Sequence, residues 1–222
     1  MSFWPRDPGG LGFFIYIPYM NRIIFLIDGF NLYHALQNNF AYHKYKWLNY
    51  YKLAQCYVTT KDKIVDVYYF TALAHWNPDK VKRHKEFIKA SENASVKIVY
   101  GEFKRKTRKC QLCKKEYLSF EEKQTDVNIA LYLFKLAVQD KYDKAFLISG
   151  DSDLIPSIES VKNTFPNKSV NVIIPIGCRS ESLKHTADGH MKMKEKHLHS
   201  SMFPDTIKLP GGLVLTRPKE WK

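Results

Sequence analysis

Three aspartates stand where an α/β protein usually binds its ligands. Asp28 follows the apolar run 22–27 in "RIIFLIDGFN", and Asp151 and Asp153 follow the run 144–149 in "KAFLISGDSDLIP". In an open parallel sheet, ligands bind outside the carboxyl ends of the strands, near the point where strand order reverses, so all three are expected on one edge. Asp126 opens the helical pattern "TDVNIAL", whose N-terminus faces the same edge if the connection returns over the sheet. Carboxylates converging on one pocket repel each other unless a cation neutralises them, and hard oxygen donors suit Mg²⁺ or Mn²⁺. The chemistry such a site supports is metal-assisted hydrolysis of a phosphodiester, in which the ion activates water and stabilises charge on the phosphate. Asn31, one helical turn beyond Asp28, is an amide donor for a carboxylate or a phosphate. Ser149 and Ser152 are candidates for supporting the carboxylates or touching the phosphate.

Each acidic residue also has a simpler reading. Asp153 is a good N-cap for "LIPSIES", Asp126 complements the dipole of its helix, and Asp28 before Gly29 is common turn chemistry. Taken singly, these readings suffice. Two independent caps do not explain Asp28 with Asn31 after one strand and Asp151 with Asp153 after another.

The elements that must position these residues are legible from apolar runs. Segments 22–27, 63–72, 95–103, 144–149 and 169–176 are rich in β-branched and aromatic residues and read as strands. Most are continuous rather than alternating, as in strands covered on both faces. Helical patterns lie between them over 77–93, 125–140, 153–164 and 179–198. The alternation predicts an α/β fold with a mostly parallel sheet and right-handed crossovers. The first strand begins cleanly after Met20, whereas 1–19 is aperiodic and rich in Pro and Gly. The natural start is therefore expected at Met20, with 1–19 as an upstream leader. The main domain is expected over 20–198, and the Pro- and Gly-rich segment 199–222 as an irregular arm.

One stretch interrupts the alternation. Residues 104–124, "KRKTRKCQLCKKEYLSFEEKQ", are too long for an ordinary connection and read as a basic flap inserted in the domain. Lys104, Arg105, Lys106, Arg108 and Lys109 are candidates for contact with substrate phosphates, each adding salt-sensitive affinity. Tyr117 and Phe120 have the chemistry to stack on bases, but anchoring the flap to the core is the favoured reading for both. Cys110 and Cys113 have the spacing of half a zinc site. Cys56, Cys178, His43, His75, His84, His185 and His190 are distant candidates for the missing Zn²⁺ ligands, and two chains sharing one ion through paired CxxC motifs would form a homodimer. The alternative is a reduced pair in a basic turn.

A chain of 222 residues with 45% hydrophobic and 26% charged content can bury one sizeable core. Its formal charge of +13 favours polyanionic partners, with nucleic acid foremost. Four cysteines are few for a disulfide scaffold, which points to a reducing, cytoplasmic compartment. The apolar run 11–20 is too short to span a membrane, and no membrane partner is expected.

The blocks "IDGFNLY", "EEKQTDVNIAL" and "LISGDSDLIPSIESV" resemble the signature blocks of the NYN-domain (LabA-like) family of PIN-like ribonucleases, in the family's order and across about 22–176. The resemblance implies a three-layer α/β/α sandwich carrying a divalent-metal ribonuclease site that acts on RNA, with single strands the expected substrate. Asp28, Asp126, Asp151 and Asp153 match its acidic positions, and Asn31 matches the polar position of the first block. The expected function is a metal-dependent endoribonuclease. One alternative is an RNA-binding regulator on the same fold with little or no catalysis. Another is a nucleotide-sugar transferase using Asp151-Ser152-Asp153 as its DxD motif, which leaves Asp28, Asn31 and Asp126 without a role.

Overall fold

In the computed structural model, which describes residues 20–221, β1 (Asn21–Asp28) leads directly into α1 (Gly29–Gln37). A 3₁₀ segment (Phe40–Lys46), α2 (Tyr50–Gln55), β2 (Asp62–Thr71), α3 (Pro78–Asn93) and β3 (Val96–Tyr100) follow. A long antiparallel hairpin, β4 (Glu102–Lys109) and β5 (Glu116–Lys123), precedes α4 (Thr125–Val138) and β6 (Lys144–Ile148). Next come α5 (Ile155–Thr164), β7 (Ser169–Ile174), α6 (Glu181–Thr186), β8 (Gly189–Lys192) and α7 (Glu195–Ser200). A short hairpin of β9 (Thr206–Lys208) and β10 (Val214–Thr216) closes the described chain. The expected leader, 1–19, lies outside the described residues.

The central sheet has the order β3-β2-β1-β6-β7-β8, and every neighbouring pair is parallel. Alternate residues of β1 enter different cores. Ile23, Phe25 and Ile27 pack with Leu32, Leu53 and Phe87 from the first three helices, while Ile24 and Leu26 pack with Ile129, Leu133 and Ile158 from α4 and α5. Burial on both faces explains why β1 reads as a continuous apolar run, and it makes the domain a three-layer α/β/α sandwich. From β1 the chain builds outward through β2 and β3, then crosses to β6 on the other side, so the strand order reverses between β1 and β6.

Local chemistry sets the element boundaries. Asn77 caps α3 by accepting from the Lys80 amide at 3.0 Å, with Pro78 at the first helical position. Gly29 permits α1 to start against β2, because a Cβ there would lie 2.3 Å from Tyr69 Cε2 and 2.5 Å from the Phe70 carbonyl oxygen. Its role is close approach rather than a turn.

Three segments depart from the sequence reading. The strand expected over 95–103 breaks at Gly101, whose amide donates to the Thr71 carbonyl at 2.8 Å before the chain leaves the sheet as β4. A Cβ at Gly101 would sit 2.8 Å from both the Lys123 carbonyl oxygen and Thr125 Oγ1, so hairpin and helix crowd this exit. The helix expected over 179–198 is a helix, the edge strand β8 and another helix. Four residues, "GHMK", carry little strand propensity, and the β7 ladder is what makes them a strand. The arm after 199 contains the β9–β10 hairpin and seats Phe203 and Leu215 in the core.

Candidate active site

Asp28 ends β1 and Ser149 follows β6, so the reversal point brings the first and fourth apolar runs of the sequence side by side. Asp28 is buried and caps α1, accepting from the Asn31 amide at 3.0 Å through one oxygen and from the Ser149 hydroxyl at 2.8 Å through the other. Ser149 Oγ in turn accepts from the Asp151 amide at 3.0 Å. The Gly150 amide donates to Asn31 Oδ1 at 2.8 Å, so Asn31 stitches the two strand ends together. Asp151 Oδ1 accepts from the Asp153 amide at 2.9 Å and caps the 3₁₀ turn Ser152–Leu154.

This geometry reassigns three roles. Asp151, rather than Asp153, is the capping residue, and the Asp153 carboxylate is left exposed in the first turn. Ser149 is fully buried with its hydroxyl engaged twice, which fits positioning Asp28 and not touching a phosphate. Ser152 is exposed beside Asp151.

Asp126 arrives from the other side of the edge. Gln124 takes a left-handed conformation at φ 76°, turning the chain sharply from β5 into α4 and placing Asp126 in the first turn of the helix. Burial, followed by repulsion from Asp28, Asp151, Glu122 and Asp153, raises its pKa to about 6. Burial also raises the pKa of Asp28, its hydrogen bonds from Asn31 and Ser149 opposing the effect, with Asp151 and Glu122 adding repulsion. The expected aspartates are therefore electrostatically one group, and Glu122 joins them. Glu122 accepts from the Thr125 amide at 3.0 Å and holds the start of α4. Its position three residues before Thr125 is the only local signal that marks it.

An oxygen-only donor set in which burial and neighbouring carboxylates raise the pKa of Asp28 and Asp126 fits a hard divalent cation. Among the described residues, no group of three or more His, Cys, Asp or Glu side chains is drawn together tightly enough to hold a metal ion. The match is one of charge and donor type.

The hairpin sorts the basic residues by face. Phe103, Arg105, Thr107 and Lys109 share one face of β4 with Phe120 and Glu122 of β5, across the pairs Phe103–Glu122 and Arg105–Phe120. Trp76 lies flat on Phe120 with ring centres 3.9 Å apart and meets Phe103 edge-on at 4.6 Å, so this face rests against the body of the domain. Lys104, Lys106 and Arg108 lie on the opposite face, where Lys104 pairs with Glu102, and Lys106 and Arg108 pair with Glu121. Arg105 and Lys109 form no ion pair among the described residues. Tyr117 is half exposed, whereas Phe120 serves as the anchor.

Cys110 and Cys113 meet at the hairpin tip. Hydrogen bonds from the Cys113 and Leu112 amides and from the Cys113 side chain lower the Cys110 pKa. No third ligand joins them among the described residues. Cys56, just after α2, instead lies near Ser201, just after α7, and Cys178 near Gly150.

A six-stranded parallel sheet with carboxylates gathered where its strand order reverses is the arrangement of a PIN-like domain. The sequence model of the NYN domain matches residues 22–194, and the chain belongs to that family of PIN-like nucleases and RNA-binding proteins. PIN-like nuclease domains generally use divalent metals. A solved structure of a protein of unknown function, VPA0982 from Vibrio parahaemolyticus, superposes with a TM-score of 0.58 at 18% identity, covering 83% of this chain and 98% of that one. The chain is also 24% identical over 159 residues to 6-hydroxy-3-succinoylpyridine 3-monooxygenase HspA of Pseudomonas putida, covering 69% of this chain and 49% of that protein. It thus spans about half the length of that curated relative. Among the described residues, no helix is long and apolar enough to cross a membrane.

Proposed function

We propose that this protein is a divalent-metal-dependent endoribonuclease that hydrolyses phosphodiester bonds of single-stranded RNA. The observation that carries the reading is the gathering of acidic residues at the reversal point of the sheet, where Ser149 ties Asp28 to the Asp151 backbone and both carboxylates add to burial in raising the pKa of Asp126. Asp28, Asp126, Asp151 and Asp153 would hold Mg²⁺ or Mn²⁺. When bound, such an ion activates water and stabilises charge on the phosphate.

The protein's own groups prepare that site. Ser149 orients Asp28 and fixes the Asp151 backbone, so both carboxylates are held before substrate arrives. The Asn31 side-chain Oδ1 accepts from Gly150, which leaves Nδ2 to donate to a carboxylate or phosphate oxygen. Arg105 and Lys109, on the hairpin face turned toward the domain, carry charge for the strand leading into the edge.

The test is incubation of purified protein with labelled single-stranded RNA in Mn²⁺ or Mg²⁺ against EDTA, alongside Asp28→Asn and Asp151→Asn. Cleavage is expected only with metal and is expected to fall at least about a hundredfold in each variant. Cleavage that survives EDTA and both substitutions refutes the reading. RNA binding without cleavage in any metal replaces it with a regulator on the same fold.

A further inference from the structure

A cleft of about 530 Å³ opens beside the acidic edge, a volume suited to a small ligand. Gly29, adjacent to Asp28, and Glu122, near the end of β5, both line it, so cleft and edge share a border. The hairpin supplies one wall through Phe103 and Phe120, locked together by Trp76, which remains 40% exposed. Tyr33 of α1 lines another side and is 39% exposed. The cleft therefore has aromatic rings from both the hairpin and α1 in its lining, with Trp76 and Tyr33 partly exposed.

Its deeper lining is polar. His84 Nε2 lies 3.1 Å from the Tyr69 hydroxyl and 3.2 Å from Thr71 Oγ1, a hydrogen-bonded group set into the aromatic wall. Lys46 also lines the cleft, with only 9% of its surface exposed. Its Nζ donates to Gln37 Oε1 at 2.5 Å and sits 5.4 Å from the centre of the Tyr33 ring. Among the described residues no carboxylate pairs with it. A buried ammonium with only a neutral amide and a ring for company is costly to keep charged, and an anionic ligand group would relieve that cost.

Resting on the nuclease reading above, we propose that this cleft receives one nucleotide of the RNA strand, its base between the aromatic walls and one of its phosphates against Lys46. A nucleotide within a strand carries a phosphate on each side of its ribose. With one at Lys46, the other falls toward the shared border at Gly29 and Glu122, which is the acidic edge. Aromatic faces accept any base by stacking, and His84, its Nε2 engaged by the buried Tyr69 and Thr71 hydroxyls, keeps its Nδ1 for the base edge. The cleft therefore selects the nucleotide beside the cut and sets the register of the strand. It also explains why the hairpin is clamped at its root by Trp76, since Phe103 and Phe120 must stay in place to form a wall.

The test measures binding apart from cleavage, by calorimetry in Mn²⁺ with the full chain and a nucleoside 3′,5′-bisphosphate, which has no internucleotide bond to cut, as probe. The wild type is expected to bind it at least about tenfold more tightly than ribose bisphosphate lacking the base. Lys46→Met and Tyr33→Ala are each expected to weaken binding at least about tenfold while melting as folded proteins, and Lys44→Gln, outside the cleft, is expected to match the wild type. Equal affinity for the base-free probe, or wild-type affinity in both Lys46→Met and Tyr33→Ala, overturns the proposal. So does displacement of the nucleotide by an equimolar carboxylated pyridine, which shares the ring and the anion but not the ribose. RNA cleavage without bisphosphate binding removes the pocket and leaves the nuclease. Bisphosphate binding without cleavage in any metal does the reverse.

Discussion

Asp126 carries the most informative perturbation in the molecule. Burial, then the charges of Asp28 and Asp151, raise its pKa from 3.8 to about 6, so between those values the folded protein keeps a proton that the unfolded chain has released. Its contribution to stability is fully present below 3.8 and is lost as pH rises through about 6. His84 works in the opposite sense. Burial lowers its pKa from 6.5 to about 4, so its contribution is present above 6.5 and lost as pH falls toward 4. Comparing wild type with Asp126→Asn separates the two. In EDTA the variant is expected to melt higher than the wild type at about pH 7.5, with the gap narrowing as pH falls below about 6 and closing only near 3.8. Thermal melts across that range check this, and a gap that does not change with pH contradicts it. Mn²⁺ affinity is expected to fall as pH drops below about 6, because the ion then has to displace a proton from Asp126. The aspartates were legible as strand-end residues. Glu122 was not, because its partnership with them is made by the hairpin returning beside α4.

Among the elements, the β4–β5 hairpin changes the sequence reading most. Consecutive basic residues in "KRKTRK" look equivalent as a string, but a strand sends neighbours to opposite faces. Arg105 shares the face of Phe103 and Phe120, whereas Lys106 on the other face is paired with Glu121. Arg105→Ala is expected to weaken single-stranded RNA binding and to reduce the slope of log affinity against log salt by about 0.7, the share of one phosphate contact. Lys106→Ala is expected to change the slope by less than about half as much. Filter binding over a salt series measures both, and equal losses would show that the faces are not distinguished. The sequence showed the basic run only as a string of charges. Its sidedness required knowing where Gly101 ends β3 and which face Trp76 holds.

For the molecule as a whole, the acidic edge is an exception within a strongly basic chain of net charge +13. Basic surface gathers polyanions, and in the proposed function the carboxylates at one edge take a cation before a phosphate approaches. Mn²⁺ at about a hundred times its dissociation constant is expected to raise the wild-type melting temperature by about 5–10 °C. In Asp28→Asn, with Asp126 and Asp151 intact, the rise is expected to shrink by at least about half. A differential scanning measurement with and without EDTA decides this, and identical shifts in both proteins would place the metal elsewhere.

The apolar runs, their alternation with helices and the aspartates at their ends were all local properties, readable because a strand covered on both faces must be apolar along its length. They were enough to specify a parallel α/β domain and the edge where its acidic residues meet. The β8 strand, the Asp151 cap, the partnership of Glu122 and the cleft around Lys46 were beyond any local pattern. Each depends on side chains far apart in the chain, such as Lys46, Trp76 and Glu122 around one cavity, and only packing of the finished layers brings such residues within reach of one another.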